Sequence, residues 1–222
     1  MFIGHFSVAL AAGASRKSPS LGTLFVASQL VDLGFFSLMI AGIEKMRFLP
    51  GATVMNPMDL YHMPYTHGLI GASLWALGFG AAIWLLTRRT AAAVIGAAVV
   101  FSHWLLDLLT HRPDLVMPNG SKVGLGLWNY PMIEMPLEIG MTLTAAWLYA
   151  RATEPKRSAG RWSLLWLIAI LLIMQAVNWF GPVAPVAGHA VAVEALVAYA
   201  VAIGLAIWVA TTRRFKDSQM RA

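Results

Sequence analysis

Apolar residues fall into seven runs along the chain: Phe2–Ala14, Leu21–Ile43, Thr66–Thr87, Ala91–Thr110, Ile133–Ala150, Ser163–Phe180 and His189–Ala210. A helix needs about 20 predominantly apolar residues to cross the hydrocarbon core of a bilayer. Six of the runs meet that length. The first, at about 13 residues, predicts a short, tilted or half-inserted helix. Proline and glycine collect between the runs, at Pro50, Gly51, Pro57, Pro64, Pro113, Pro118, Pro131, Pro155, Pro182 and Pro185. These residues end helices rather than extend them. The pattern predicts one all-α domain over residues 1–222, a polytopic transmembrane bundle of six to seven segments. Open sheets are not expected, because lipid leaves no partner for an exposed backbone edge.

Composition strengthens this picture. Hydrophobic residues make up 59% of the chain and charged residues 12%, against roughly half and a quarter in soluble domains. The net charge of +6 would suggest nucleic acid in a soluble protein. Here the cations sit in short loops, so topology explains them and no nucleic-acid partner is expected. Arg16, Lys17, Arg88, Arg89, Arg151, Lys156, Arg157, Arg161, Arg213, Arg214, Lys216 and Arg221 occupy the first, third and fifth loops and the C-terminal tail. Only Lys45, Arg47, Arg112 and Lys122 occupy the alternate loops, although these include the two longest. This bias predicts a cytoplasmic C-terminus in an inner (cytoplasmic) membrane. The six long segments keep that orientation whether or not the first one spans. No basic region precedes the first run, so no cleaved signal peptide is expected. Cysteine is absent, which excludes disulfides and thiolate metal sites.

Ionisable residues inside apolar segments are costly and mark function. All six histidines fall at or near the predicted extracytoplasmic half, and they played no part in setting the orientation. The sharpest signal is His103, Asp107 and His111, spaced i, i+4, i+8 in Ser102–His111. Over that spacing a helix drifts only about 80°, so the three form one polar stripe. Pro113 restricts the residue before it and places His111 in the last turn, near water. His62 and His67 flank the entry to the third segment, with Pro64 leaving His62 on the incoming loop and His67 opening the helix. Asp32 stands alone at mid-depth in the second segment and must be protonated, paired or bound to a cation. Gln29 lies one turn earlier on its face. His5 lies near the start of the first run. Glu134 and Glu138 open the fifth segment, and a helix starting near Pro136 makes Glu138 the deeper ligand and Glu134 a cap or solvated residue. His189 and Glu194 give a weaker signal of the same kind. Trp128 reads as part of a headgroup-level aromatic belt or as a lining of the site mouth.

The order of Gly4-His5, then Asp32, then His62-x-x-x-Thr66-His67, then Ser102-His103-x-x-x-Asp107 resembles a bacterial family of inner-membrane, metal-dependent hydrolases. The resemblance covers roughly residues 1–114. More weakly, the His-x-x-x-Asp element is similar to all-helical zinc-dependent phospholipases C. Two positions depart from the family pattern: Val31 precedes Asp32 where proline is usual, and Met63-Pro64 follows His62 where Arg-Gly is usual. The resemblance implies a hydrolase with a divalent metal.

The candidate ligands are His5, Asp32, His62, His67, His103 and Asp107, with Glu138 and His111 as acid–base groups. Nitrogen and oxygen donors of this mix suit zinc first, with manganese or iron as alternatives, as one or two ions. The expected substrate is an ester or phosphoester, lipid or lipid-linked, reached from the extracytoplasmic side. A metal-ion or proton-coupled transporter using the same cluster is the alternative. It would continue polar residues into the cytoplasmic half, where few occur. A haem carrier with His67 and His103 as axial ligands, and a metal-free scaffold, are further readings.

Overall fold

The computed structural model describes residues 1–217, so Arg221 of the basic tail lies outside the described residues. Every apolar run forms a helix: α1 (Ile3–Gly13), α2 (Leu21–Ile40), α3 (Leu69–Thr87), α4 (Thr90–Thr110), α5 (Pro131–Ala152), α6 (Ala159–Phe180) and α7 (His189–Thr212). Among the described residues, α2, α3, α4, α6 and α7 are long and apolar enough to cross a membrane. Helix α5 has the length, at 22 residues, but carries Glu134, Glu138 and Arg151. Large apolar side chains such as Leu74, Leu77, Leu86, Leu165 and Val197 lie exposed on the outside of the bundle. In water such a surface is a liability, whereas lipid solvates it.

Helix α1 takes the centre. Its 11 residues rise about 16 Å, half the hydrocarbon thickness. It packs against α2, α4 and α5. A helix apolar on all sides is stable only when enclosed on all sides, and Ile3, Phe6, Ala9 and Leu10 are fully buried against Phe25, Val100 and Leu167. The first run is therefore an internal half-helix rather than a spanning one. Its first turn opens inside the protein, where water cannot satisfy the free N–H groups.

Two small antiparallel hairpins and one further antiparallel strand pair occupy the connections, which the apolar pattern does not forecast. Strands β1 (Lys45–Phe48) and β2 (Met58–His62) pair between α2 and α3, and β3 (Leu115–Val116) and β4 (Lys122–Val123) pair between α4 and α5. Asp59 bonds Arg47 and Arg112 and so ties the first hairpin to the loop after α4. At the opposite end, β5 (Thr153–Pro155) and β6 (Arg213–Phe215) join the ends of α5 and α7. There the buried Arg213 donates to Thr153 Oγ1, Thr153 O and Gly160 O. Arg89 reaches the carbonyls of Arg16 and Lys17 at this end too. The basic loops thus gather on one face of the bundle, and α4 runs from there toward the histidines at its far end.

Two helix starts differ from expectation. Helix α3 begins at Leu69, not Thr66, because residues 64–67 form a turn in which His67 N–H donates to Met63 O at 3.1 Å. Gly71 permits this turn to lie on the helix, since a Cβ there would collide with the Pro64 and Tyr65 carbonyls. Helix α5 begins at Pro131, which suits a first helical position because that position needs no N–H. Pro136 lies inside the helix and does not start it.

Candidate metal centre

Four elements deliver the polar side chains. The buried α1 places His5, α2 places Asp32, the turn before α3 places His67, and the last turns of α4 place His103 and Asp107. His111 caps α4 through its N–H to Asp107 O at 2.8 Å, and its side chain is buried rather than near water. The i, i+4, i+8 stripe forms as the spacing requires.

Asp107 is the hub. Its Oδ1 lies 3.1 Å from His5 Nε2 and 3.4 Å from His111 Nε2. Its Oδ2 lies 3.2 Å from His103 Nε2 and 3.6 Å from His67 Nε2. Asp32 Oδ1 faces two of the same rings, His67 at 3.3 Å and His103 at 3.6 Å. The His5 and His103 rings stack at 3.7 Å. Two overlapping triads, His5–His103–Asp107 and Asp32–His67–His103, each bring one ligand atom per residue within 4.8 Å of the others.

The outer face of each ring shows which nitrogen carries the proton. His103 Nδ1 is 2.8 Å from Ser28 O, a carbonyl that can only accept, so Nδ1 carries hydrogen. His111 Nδ1 is 3.0 Å from Asp114 Oδ1, which accepts likewise. His67 Nδ1 is 2.9 Å from Thr66 Oγ1, whose own hydrogen goes to Glu44 Oε2 at 2.6 Å, so the hydroxyl accepts here. Glu44 is held in turn by the Tyr65 and Thr66 N–H groups. These assignments follow from the hydrogen-bond network. In the neutral tautomers, all three Nε2 atoms therefore turn lone pairs toward carboxylate oxygens. Lone pair against carboxylate at 3.2–3.6 Å is repulsive unless positive charge lies between them. His103 Nε2 and Asp107 Oδ2 are buried and without a hydrogen-bond partner, as unliganded coordinating atoms are. The donor set of imidazole nitrogen and carboxylate oxygen, with oriented outer-face partners, fits a divalent transition metal.

Some partners were not foreseen. Tyr199 on α7 donates to Asp32 Oδ2 at 2.8 Å. Asp114, Glu44 and the Ser28 carbonyl orient rings. Of the two readings of Trp128, the lining of the site is the one the geometry favours: it is buried with its ring centroid 4.3 Å from that of His111. Only Asp114, three residues after His111, carried a sequence signal that spacing could have caught.

Other expected site residues fall elsewhere. His62 is exposed in β2, its ring beside Tyr65, and does not join the cluster. Glu138, expected as an acid–base group, caps α1 instead. Its Oε1 accepts from Phe2 N–H at 2.6 Å and Gly4 N–H at 2.8 Å, and its Oε2 accepts from Gln175 at 3.0 Å. Glu134, expected as a cap or solvated residue, is fully buried with both carboxyl oxygens unpartnered. Gln29 is buried and its side chain makes no hydrogen bond. His189 is exposed at the start of α7.

A cavity of about 510 Å³ adjoins the cluster, lined at one end by His5, Asp32, His67, Asp107 and His111. That volume is typical of sites for small organic ligands. No curated protein and no solved structure matches this chain. The family model described as YdjM inner membrane protein matches residues 1–182, and the chain belongs to that family of inner-membrane proteins.

Proposed function

We propose that the chain is a membrane-embedded, metal-dependent hydrolase of an ester or phosphoester, with His5, Asp32, His67, His103 and Asp107 as ligands. The observation that supports it is that His67 and His103, with Nδ1 committed on their outer faces, each turn Nε2 toward both Asp32 and Asp107. Zinc suits these donors first, with manganese or iron next. Either triad can hold one ion; because they share His103, whose single free nitrogen serves one ion at a time, a second ion would rest on the remaining ligands. A bound divalent ion acts as a Lewis acid and lowers the pKa of its water from about 16 to about 7.

The chain's own residues then have separable tasks. Asp114 fixes the His111 ring with Nδ1–H outward, leaving Nε2 as a base on the cavity wall. His111 takes the proton of the attacking water and returns it to the leaving oxygen. Trp128 covers the other face of that ring and excludes bulk water. Tyr199 holds Asp32 in place from α7. With the basic loops in the cytoplasm, the site opens toward the extracytoplasmic side, and membrane lipid is both its solvent and its source of substrate.

The experiment is a hydrolysis screen of purified, metal-replete protein against lipid esters and phosphoesters, with Asp107→Ala and His111→Ala alongside. Turnover in wild type that is lost in both variants supports the reading. Turnover that persists in Asp107→Ala defeats it. The alternative, a metal-ion or proton-coupled transporter, predicts ion or proton flux in proteoliposomes that depends on Asp107 without any hydrolysis.

A further inference from the structure

The cavity continues well beyond the cluster. Its far wall is formed by Ile173, Met174 and Val177 of α6 and by Val191, Ala195 and Ala198 of α7. Both helices are among those apolar enough to cross a membrane, so this end of the cavity lies beside hydrocarbon. A small polar ester has no use for it. The two alanines on α7 leave the room that larger side chains would fill. The space thus has the ionisable cluster at one end and a mainly apolar wall at the other, where Asn178 and Glu194 are the polar exceptions.

Glu134 also lines this cavity. It is fully buried and neither carboxyl oxygen has a hydrogen-bond partner. Buried polar groups are almost always satisfied, so an unpartnered carboxyl facing a cavity implies a donor that enters it. The neighbouring Glu138 is an acceptor, already holding the hydrogens of Phe2, Gly4 and Gln175; it can take a hydrogen from a protonated Glu134 but brings none to the other Glu134 oxygen. Three features therefore point to one kind of occupant: a cation-binding cluster, a free acceptor beside it, and an apolar slot leading into the membrane.

We infer that the cavity is a lipid-binding site. Its ligand is an amphiphile whose chain lies between α6 and α7 and whose head presents a hydrogen-bond donor to Glu134. The inference rests on the hydrolase reading only for placing the scissile bond near the cluster; binding itself does not need it. The shared head chemistry, an N–H or O–H donor, occurs in both phosphatidylethanolamine and phosphatidylglycerol and is absent from phosphatidylcholine.

The test is native mass spectrometry of the full chain purified in mild detergent, titrated separately with these three lipids, with metal content measured on the same samples. Wild type is expected to retain the two donor-bearing lipids about tenfold better than phosphatidylcholine. Glu134→Ala is expected to erase that preference. Ala195→Trp combined with Ala198→Trp fills the apolar end and is expected to lower retention of all three by about tenfold, with metal content unchanged. If the double variant misfolds by size-exclusion chromatography, the milder Ala198→Leu decides by the same criterion. Equal retention of the three lipids in wild type, or retention unchanged in the filled variants, overturns the inference. Lipid retained without metal leaves the cavity assignment standing and removes the hydrolase reading. Metal retained without lipid does the reverse.

Discussion

Asp107 and Glu138 are both buried carboxylates at the same end of the bundle, and they are satisfied in opposite ways. Glu138 accepts from two backbone N–H groups and an amide, all neutral donors whose hydrogens point at it. It ends the free N–H groups of an internal helix, and its charge complements the positive end of the α1 dipole. Asp107 is surrounded by four imidazole nitrogens, three of whose rings donate from their opposite side, and its Oδ1 also receives the Met1 ammonium at 3.4 Å. Burial is equal in the two cases. What separates a structural carboxylate from a candidate ligand is an oxygen left without a donor: Asp107 Oδ2 has none, whereas both Glu138 oxygens are taken.

The sharpest way to break this comparison is to neutralise each carboxylate in turn. Asp107→Asn is expected to lower metal affinity by more than about 100-fold. It should stay folded, because the new amide can donate to a ring lone pair. Glu138→Gln is expected to keep its metal and lose about 1–3 kcal/mol of stability, since two backbone donors then face a weaker acceptor. Elemental analysis and thermal unfolding read the two effects separately. Equal loss of metal in both variants would erase the distinction.

The outer partners sharpen it further. Tyr199→Phe removes the donor to Asp32, and Asp114→Asn weakens the hold on His111. Each is expected to reduce metal affinity by about 10–100-fold, with the fold intact, in a competition titration against a chelator. An affinity unchanged in both would show that these contacts only pack helices. At the small end, His62→Ala should leave metal content as in wild type and shift stability by no more than about 0.5 kcal/mol. A loss of metal there would return His62 to the ligand set.

The bundle was legible because lipid imposes a simple rule: helices long enough and apolar enough to satisfy their own backbone. Each apolar run became a helix, within a few residues. The hairpins were hidden because they lie in polar connections where the apolar pattern is silent. The inward stripe of His103, Asp107 and His111 was readable from helical spacing alone, and Asp32 from its isolation in an apolar run. The roles of Glu134 and Glu138 were not readable. Which of two carboxylates one turn apart faces a helix end depends on where α5 starts and on how α1 enters the core, and both are tertiary facts. Tyr199 was invisible for a similar reason. A tyrosine in an apolar helix reads as packing until the facing carboxylate, 167 positions away, is known.

The most direct test is the metal content of the protein purified from its own membrane in mild detergent without chelator or added metal, measured by elemental analysis beside Asp107→Asn. The account predicts one or two equivalents of a divalent transition metal in the wild type and a background level in the variant. A monodisperse wild type without metal, or equal metal in both, would contradict it.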